Sequence, residues 1–584
     1  MEGLLARLSR TTLLAGLALV APGALLGQGM IGRGVTAMPK PKPSGRSFPV
    51  SFVDVAASAG LKTPQICGGD RKKYIVESMG LGVAFLDYDN DGWPDIFLVN
   101  GSRFDNSGET RALTNHLYRN NRDGTFTDVT RQAGLVHSGW GQSVAVADYD
   151  NDGFADLFVT YWGRNVLYHN NGNGTFTDVS PRAGVAGDRV RWGSGASFFD
   201  YDRDGYLDLF VANYVDFDLR RTPLPGADPN CAWLGLPVVC GPRGLPFSAN
   251  LLYHNNRDGT FTDVSRESGI GQLRKTYALG VLAADLDGDG WQDVYVASDS
   301  TRSLFYHNNG NGTFSERAVY VGLAYDDNGM EQAGMGLALG DYDRDGLLDI
   351  VKTNFVDDYP NLYRNAGKAG YADRALAAGL GVNPQYVLWS PVLADFDNDG
   401  WPDLFMSAGH FFPEVDKLKT VQRFRNPRLL YRNLDNGKFE DVSDRAGPGI
   451  LAEHSSRGAE AGDFDNDGNI DLLVMNMNES PSLLKNRNTS GNNWLKVKLS
   501  GTKSNRGGIG AKVKVTTDGR SQTRVMLSQS GYFSCADARV HFGLGRSAKV
   551  DRLEIVWPSG LVETWDDLEP NQTFAATEGS GRRQ

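Results

Sequence analysis

Short apolar runs, rather than helical stripes, organise this chain. Leu81-Gly-Val-Ala-Phe-Leu86 is followed, after a polar loop, by Asp95-Ile-Phe-Leu-Val99. Both runs are brief and rich in β-branched and aromatic side chains, which reads as strands. Two more short runs follow, Leu117-Tyr-Arg-Asn120 and Gly124-Thr-Phe-Thr-Asp-Val129, and then Ala133-Gly-Leu135. The same succession returns at Leu167-Tyr-His-Asn170 with Gly174-Thr-Phe-Thr-Asp-Val179, and at Leu252-Tyr-His-Asn255 with Gly259-Thr-Phe-Thr-Asp-Val264. Phe305-Tyr-His-Asn308, Leu362-Tyr-Arg-Asn365 and Leu430-Tyr-Arg-Asn433 continue it. Asn-Asn-x-Asp-Gly and Asn-Gly-Asn-Gly stretches supply hairpin turns between the last two strands of a unit. Four short strands, repeated seven times, predict an all-β fold, a seven-bladed β-propeller.

The two ends of the repeat indicate how it closes. The seventh unit has Leu483-Leu-Lys-Asn486 but no Thr-Phe strand after it. Ser51-Phe-Val-Asp-Val55, leading into Ala59-Gly-Leu61, has the missing form. It is expected to complete the last blade and so remove the open edges that invite aggregation. The propeller is assigned to residues 48–488, with a proline-rich insertion at about 216–247.

Between the first two strands of every unit lies Asp-x-Asp-x-Asp-Gly-x-x-Asp. The aspartates are Asp87, Asp89, Asp91 and Asp95; Asp148, Asp150, Asp152 and Asp156; Asp200, Asp202, Asp204 and Asp208; Asp285, Asp287, Asp289 and Asp293; Asp341, Asp343, Asp345 and Asp349; Asp395, Asp397, Asp399 and Asp403; and Asp463, Asp465, Asp467 and Asp471. Alternating carboxylates around a glycine turn can supply several of the six to eight oxygens that Ca²⁺ takes, with the seventh position offering its carbonyl. An EF-hand would need a glutamate at position 12. That position holds Leu98, Val159, Val211, Val296, Lys352, Met406 and Val474 instead. The loops are therefore expected to be β-hairpin cation cages, about seven in all, with Ca²⁺ favoured over Mg²⁺, which keeps more of its water.

Composition adds little beyond this. The 584 residues include 71 glycines, in keeping with a turn-rich β protein. The formal charge of −11 resides largely in the cages and argues against nucleic acid as a partner. Residues 1–29 carry Arg7, Arg10 and an apolar stretch, and read as an export signal or an uncleaved anchor, the one expected route to a membrane. The predicted setting is secreted or extracytoplasmic. Residues 30–47 read as a proline-rich linker. Cys231 and Cys240 are close enough in the insertion to form a disulfide, whereas Cys67 and Cys535 are expected to be buried thiols.

After Asn488 the repeat stops. Trp494-Leu-Lys-Val-Lys-Leu499, Ala511-Lys-Val-Lys-Val515, Thr523-Arg-Val-Met-Leu527 and Leu553-Glu-Ile-Val-Trp557 alternate as strands do, giving a small β domain over 489–577 and a tail over 578–584. The cage units resemble the FG-GAP or VCBS repeats of the integrin α-chain propeller. Ser504-Asn-Arg506, Ile509-Gly-Ala511, Ser530-Gly-Tyr532, His541-Phe-Gly-Leu-Gly545, Trp557-Pro-Ser-Gly560 and Asn571-Gln572 resemble the ASPIC/UnbV domain. The combination is similar to the cartilage acidic protein 1 family, mainly its bacterial members. That resemblance implies a secreted or surface protein with Ca²⁺-binding loops and no established catalytic activity. Cys535 stands where the domain would be expected to carry a polar residue.

No nucleophile constellation is present in the sequence, and no catalytic residue is assigned. His169, His254 and His307 share one repeat position with Arg119, Arg364 and Arg432, which reads as structural. Residues before the inner strands should ring the channel mouth: Glu77, Trp140, Arg191, Trp192, Tyr277, Glu331, Trp389 and Arg457. Such a rim could bind a sugar or peptide. The favoured reading is that its aromatics plug the channel and pack between blades. The leading expectation is a Ca²⁺-stabilised interaction scaffold for a protein or glycan. Its rivals are a polysaccharide-active enzyme using Glu77 and Glu331, and a surface adhesin.

Overall fold

The protein is described here by a computed structural model covering residues 33–105, 110 and 112–583. The expected export signal at 1–29 lies outside the described residues. Seven four-stranded antiparallel units follow the predicted order, five as separate sheets and two, blades 2 and 3, joined where Arg191 and Trp192 pair with Gly163 and Trp162. In blade 1 the strands are Val83–Leu86, Asp95–Leu98, His116–Asn120 and Phe126–Asp128. The inner strands of blades 2 to 7 are Trp140–Ala147, Arg191–Phe199, Ala278–Ala284, Gly334–Gly340, Leu388–Ala394 and Ser456–Gly462. Each inner strand lies against the next, and the seventh against the first, so the ring is closed. Phe52–Asp54 pairs antiparallel with Ser482–Asn486 and supplies the missing outer strand of blade 7.

Two devices repeat at the joints between blades. The aromatic residue at the second position of a cage packs on the outer-strand phenylalanine of the next blade. The pairs include Tyr88–Phe176, Tyr149–Phe261, Tyr201–Phe314, Tyr342–Phe439, Phe396–Phe52 and Phe464–Phe126, with ring centroids 5.3–6.1 Å apart. Such a pair contributes about 0.5–1.5 kcal/mol beyond its buried area. The second device is the asparagine of each Leu-Tyr-x-Asn run. Its Nδ2 donates to the second-position carbonyl of the preceding cage: Asn170 to Tyr88, Asn255 to Tyr149, Asn308 to Tyr201, Asn365 to Leu286, Asn433 to Tyr342 and Asn486 to Phe396. Asn120 donates to Phe464, which closes the series across the chain ends.

Residues 33–47, expected as a linker, have no regular secondary structure but lie on the propeller. Met38 donates its N–H to Gly381, Arg33 reaches Asp326 and Asp358, and Arg46 pairs with Asp435. The insertion contains the two-residue hairpin Ala232–Trp233/Leu236–Pro237 and the Cys231–Cys240 disulfide. Cys67 and Cys535 are buried free thiols.

The second domain pairs a three-stranded sheet, Val540–Gly545, Asn493–Ser500 and Gln572–Thr577, with a five-stranded one. The sequence reading of a tail at 578–584 is corrected for its described residues, 578–583. Glu578 accepts the N–H groups of Thr502, Lys503 and Ser504 at 2.7–2.8 Å, and Arg582–Arg583 pairs with Glu563 and Thr564. These contacts tie the C-terminal residues into the domain.

Candidate functional site

The seven loops share one local geometry. In blade 1, Asp87 accepts the N–H of Asp91 at 2.9 Å and of Gly92 at 3.1 Å. Asp95 accepts the N–H of Tyr88 at 3.2 Å and of Asn120 at 2.8 Å. Asn120 thus ties its own cage through its backbone and the neighbouring one through its side chain. The asparagines stood in every quoted Leu-Tyr-x-Asn run, and their presence in all seven units was the available signal. Their role was missed because a staple between blades has no local mark. Position 6 is glycine in the left-handed region throughout, with φ of 85° at Gly92. Position 4 is left-handed too, at Asn90, Asn151, Arg203, Arg344, Asn398 and Asn466. The loop coils tightly enough to turn its carboxylates inward.

Inside the coil, donors run short. The third-position residues Asp89, Asp150, Asp202, Asp343 and Asp465 each keep a buried Oδ1 without a hydrogen-bond partner, as do the first-position Asp341 and Asp463. A buried polar atom left unpaired is costly, and a buried charge more so. The crowding also shows in proton affinity. Burial, reinforced by neighbouring carboxylates, pushes Asp95 and Asp349 up to about 8, and Asp156, Asp208 and Asp293 up to about 7. Inward-facing carboxylate sets of this kind fit a hard divalent cation, and in blades 2, 3 and 4 a histidine ring lies beside them. Sets of three donor atoms lie within 4.8 Å of one another in several loops, including Asp87/Asp89/Asp91 and Asp148/Asp150/Asp152.

The second domain sits over the cage face. Lys496 Nζ lies 2.5 Å from Asp463 Oδ2 with both side chains almost fully buried. Lys498 approaches Asp87 at 3.5 Å, and the Arg506 N–H donates to Asn151. Gly468 leaves no room for a side chain, because a Cβ there would lie 2.0 Å from the Trp494 ring.

The channel is filled, which speaks for the packing reading of the rim over the ligand-binding one. Residues 528–537 of the second domain enter it and bond to its walls. Val144 donates to Phe533, Leu337 to Gly531, and Cys535 to Val83. Ala196 donates to Gln529, Phe198 to Ser528, and Tyr532 to Ser390. All six inner strands of blades 2 to 7 break register, at Gly141/Val144, Gly193/Ala196, Ala278/Val281, Gly334/Leu337, Leu388/Pro391 and Ser456/Ala459. A bulge leaves ladder groups unpaired, and at Val144, Ala196 and Leu337 the entering segment accepts the N–H. The register break in blade 6 falls at Pro391, which has no N–H to satisfy.

Trp140, Trp192, Tyr277 and Trp389 are therefore buried, at 7, 1, 2 and 0% exposure, in one cluster with Tyr532 and Phe533. The insertion closes this cluster too: Phe217, Trp233, Val238 and Val239 belong to it, and the Trp233 ring lies 5.2 Å from Phe355. Arg457 is fully buried, with its guanidinium 4.0 Å from the Trp389 ring and its Nε donating to Ser78 O. Glu77 is buried and accepts the N–H groups of Lys73 and Tyr74 at 2.6 and 2.9 Å. Arg191 pairs with Asp188, and Glu331 with Arg243 of the insertion at 3.3 Å. The eight residues do not form an accessible ring. Cys535 is explained by its place, since it packs among Ala84, Leu86 and Val144 in an apolar cluster that excludes a polar side chain.

The model of the FG-GAP-like repeat family matches residues 87–159, 148–211, 238–296 and 285–352. The model described as ASPIC and UnbV matches residues 501–583. Cartilage acidic protein 1 of Mus musculus is 27% identical over 383 residues, covering 63% of this chain and 52% of that protein. The Homo sapiens protein of the same name is 26% identical over 383 residues, 63% of this chain and 51% of its own. The chain thus spans about half the length of the curated relatives it matches. Among solved structures, an Agrocybe aegerita lectin specific for non-reducing terminal N-acetylglucosamine is 15% identical with a TM-score of 0.37, covering 69% of this chain and 87% of the lectin. A likeness at that score carries no argument. No helix among the described residues is long and apolar enough to cross a membrane. FG-GAP repeats followed by an ASPIC/UnbV domain, together with these relatives, place the chain in the cartilage acidic protein 1-like family.

Proposed function

We propose that the protein is an exported, calcium-binding interaction scaffold whose metal is structural. The observation that carries the metal reading is the set of buried, partnerless carboxylate oxygens in loops otherwise pinned by backbone N–H groups. Ca²⁺ would bind the carboxylates of positions 1, 3, 5 and 9, about seven ions in all, and fasten each blade's first hairpin. Export is supported by the N-terminal sequence pattern and by the Cys231–Cys240 disulfide, which an oxidising compartment favours. The adhesin reading is one form of this scaffold. The enzyme reading needs two free carboxyls at a channel mouth. Glu77 is held by its own loop, and Glu331 by Arg243.

The partner is a protein or a glycan. With the channel filled, recognition falls to the outer surfaces, where the insertion presents Leu224 and Leu234 about half exposed. The test is a protein and glycan array probed with and without excess chelator, alongside a metal count on the purified chain. Binding that needs Ca²⁺, with several ions per chain, is expected. A chain that carries no Ca²⁺ at millimolar free metal overturns the reading.

A further inference from the structure

The second domain covers the cage face, which leaves the opposite face of the propeller free. Strands alternate in direction, so the connections after the second and fourth strand of a blade lie on that opposite face. Among the described residues thirteen large apolar side chains are well exposed, and all but Met38 and Val556 lie in those connections. A group of them surrounds the insertion. Leu234 is 46% exposed, Met330 53% and Val421 74%. Trp233, next to Leu234, donates its Nε1–H to Oε1 of Gln422, next to Val421, at 3.2 Å. Arg243 of the insertion reaches Glu331, next to Met330, at 3.3 Å. Three segments distant in sequence thus meet, each with an exposed apolar side chain beside the contact.

Charge and chain path say what covers this patch. Lys417 and Lys419 stand exposed in the loop before Val421, without an ion pair among the described residues. Arg423, just after it, donates only to the carbonyls of Thr420 and Gln422. Exposed apolar tips beside Lys and Arg suit a lipid surface: the tips enter the boundary between headgroups and acyl chains, and the cations meet anionic phosphates. The chain also arrives here. Arg33 pairs with Asp326 and Asp358. Asp326 accepts the N–H of Met330 at 2.6 Å, and Asp357, beside Asp358, accepts Nε2–H of Gln422 at 3.2 Å. Arg33 follows Leu26, the end of the apolar stretch from Leu13, by seven residues, a span of at most about 25 Å. Seated in a bilayer, such a stretch would hold the patch within that distance of the lipid. A folded acidic partner would answer the cations but not this placement.

We propose that the face around the insertion docks on an anionic lipid surface, with Leu234, Met330 and Val421 at the headgroup boundary and Lys417, Lys419 and Arg423 among the phosphates. This goes beyond the scaffold reading, because it fixes which face the scaffold turns to a membrane and leaves the second domain pointing away from it. The test places an environment-sensitive fluorophore on the full chain carrying V421C, the native Cys67 and Cys535 being buried. Vesicles of phosphatidylcholine with phosphatidylglycerol should shift its emission to the blue, and vesicles of phosphatidylcholine alone should shift it much less. L234S/M330S should weaken vesicle binding at least about tenfold, and K417Q/K419Q/R423Q should remove the preference for anionic vesicles. A chain that binds vesicles through its N-terminal stretch alone would leave the emission and the binding of both variants unchanged, and would overturn the proposal. Loss of array binding in L234S/M330S, with no vesicle-dependent shift of the label, would give the patch to a protein partner and overturn it as well. Neither result touches the calcium reading, which stands or falls on the metal count.

Discussion

The aspartate loops and the channel core are both buried, but they are built by opposite means. The loops are one local design repeated around the ring: a short coil, two left-handed residues and inward carboxylates that lack donors. The core contains no repeat. Trp140, Trp192, Tyr277 and Trp389 come from four blades, Trp233 from the insertion, and Tyr532 from a different domain. The loops leave buried carboxylate oxygens without a hydrogen-bond partner. The core satisfies its open backbone groups with the chain's own residues 528–537. Stability of the loops should therefore depend on solution conditions, whereas that of the core should not.

Chelation is the harshest test of this contrast. A cage with Kd about 10 μM in about 1 mM Ca²⁺ is worth about 2.7 kcal/mol. Several such cages acting together should make excess chelator lower the melting temperature by more than about 10 °C. An unchanged melting curve would refute a structural metal. Next in size, Trp389→Ala or Tyr532→Ala should destabilise by about 3–5 kcal/mol by opening a cavity, with the metal count per chain unchanged. A parallel loss of bound metal would mean that the two regions are coupled.

Acidity separates them further. Asp95 and Asp349 have folded-state values near 8, and Asp156, Asp208 and Asp293 near 7, above the ordinary carboxylate range. In the metal-free chain the folded form thus holds protons that the unfolded form releases. Its contribution to stability is present below about pH 4 and lost as pH rises through about 7 to 8. Saturating Ca²⁺ competes for the same oxygens and should flatten or reverse that slope, as measured by denaturant melts across the range. Asn255→Ala, which removes one blade-to-blade hydrogen bond at 2.9 Å, should cost about 1–3 kcal/mol by leaving the Tyr149 carbonyl unpaired. The smallest effect is expected from Glu331→Gln. Its half-exposed pair with Arg243 is worth about 0–1 kcal/mol. A large loss of stability or of partner binding there would restore the channel mouth as a candidate site.

Much of this was legible in the residues. Cage spacing, Leu-Tyr-x-Asn runs and the displaced Ser51–Val55 strand are local patterns, and local patterns repeat visibly when a supersecondary unit repeats. The blade order and the strand that closes it follow from them. What fills the channel was not legible, because burial of Trp192 or Trp389 depends on a segment more than a hundred residues away in sequence, Ser528–Asp537. Ser530-Gly-Tyr532 was visible as a feature of the second domain, yet nothing local says that its tyrosine lies beside Trp389, ring centroids 4.9 Å apart.

The sequence by itself thus determined the repeat, the strands within each unit, the glycine turn and the carboxylate set of each loop. Each depends on neighbours within about a dozen residues, whose backbone and side-chain preferences act before any tertiary contact forms. Tertiary structure decided what fills the axis and where Lys496 and Trp494 meet the seventh cage. Those outcomes depend on close packing between surfaces brought together only when the ring closes and the second domain docks, and such complementarity leaves no periodic trace along the chain.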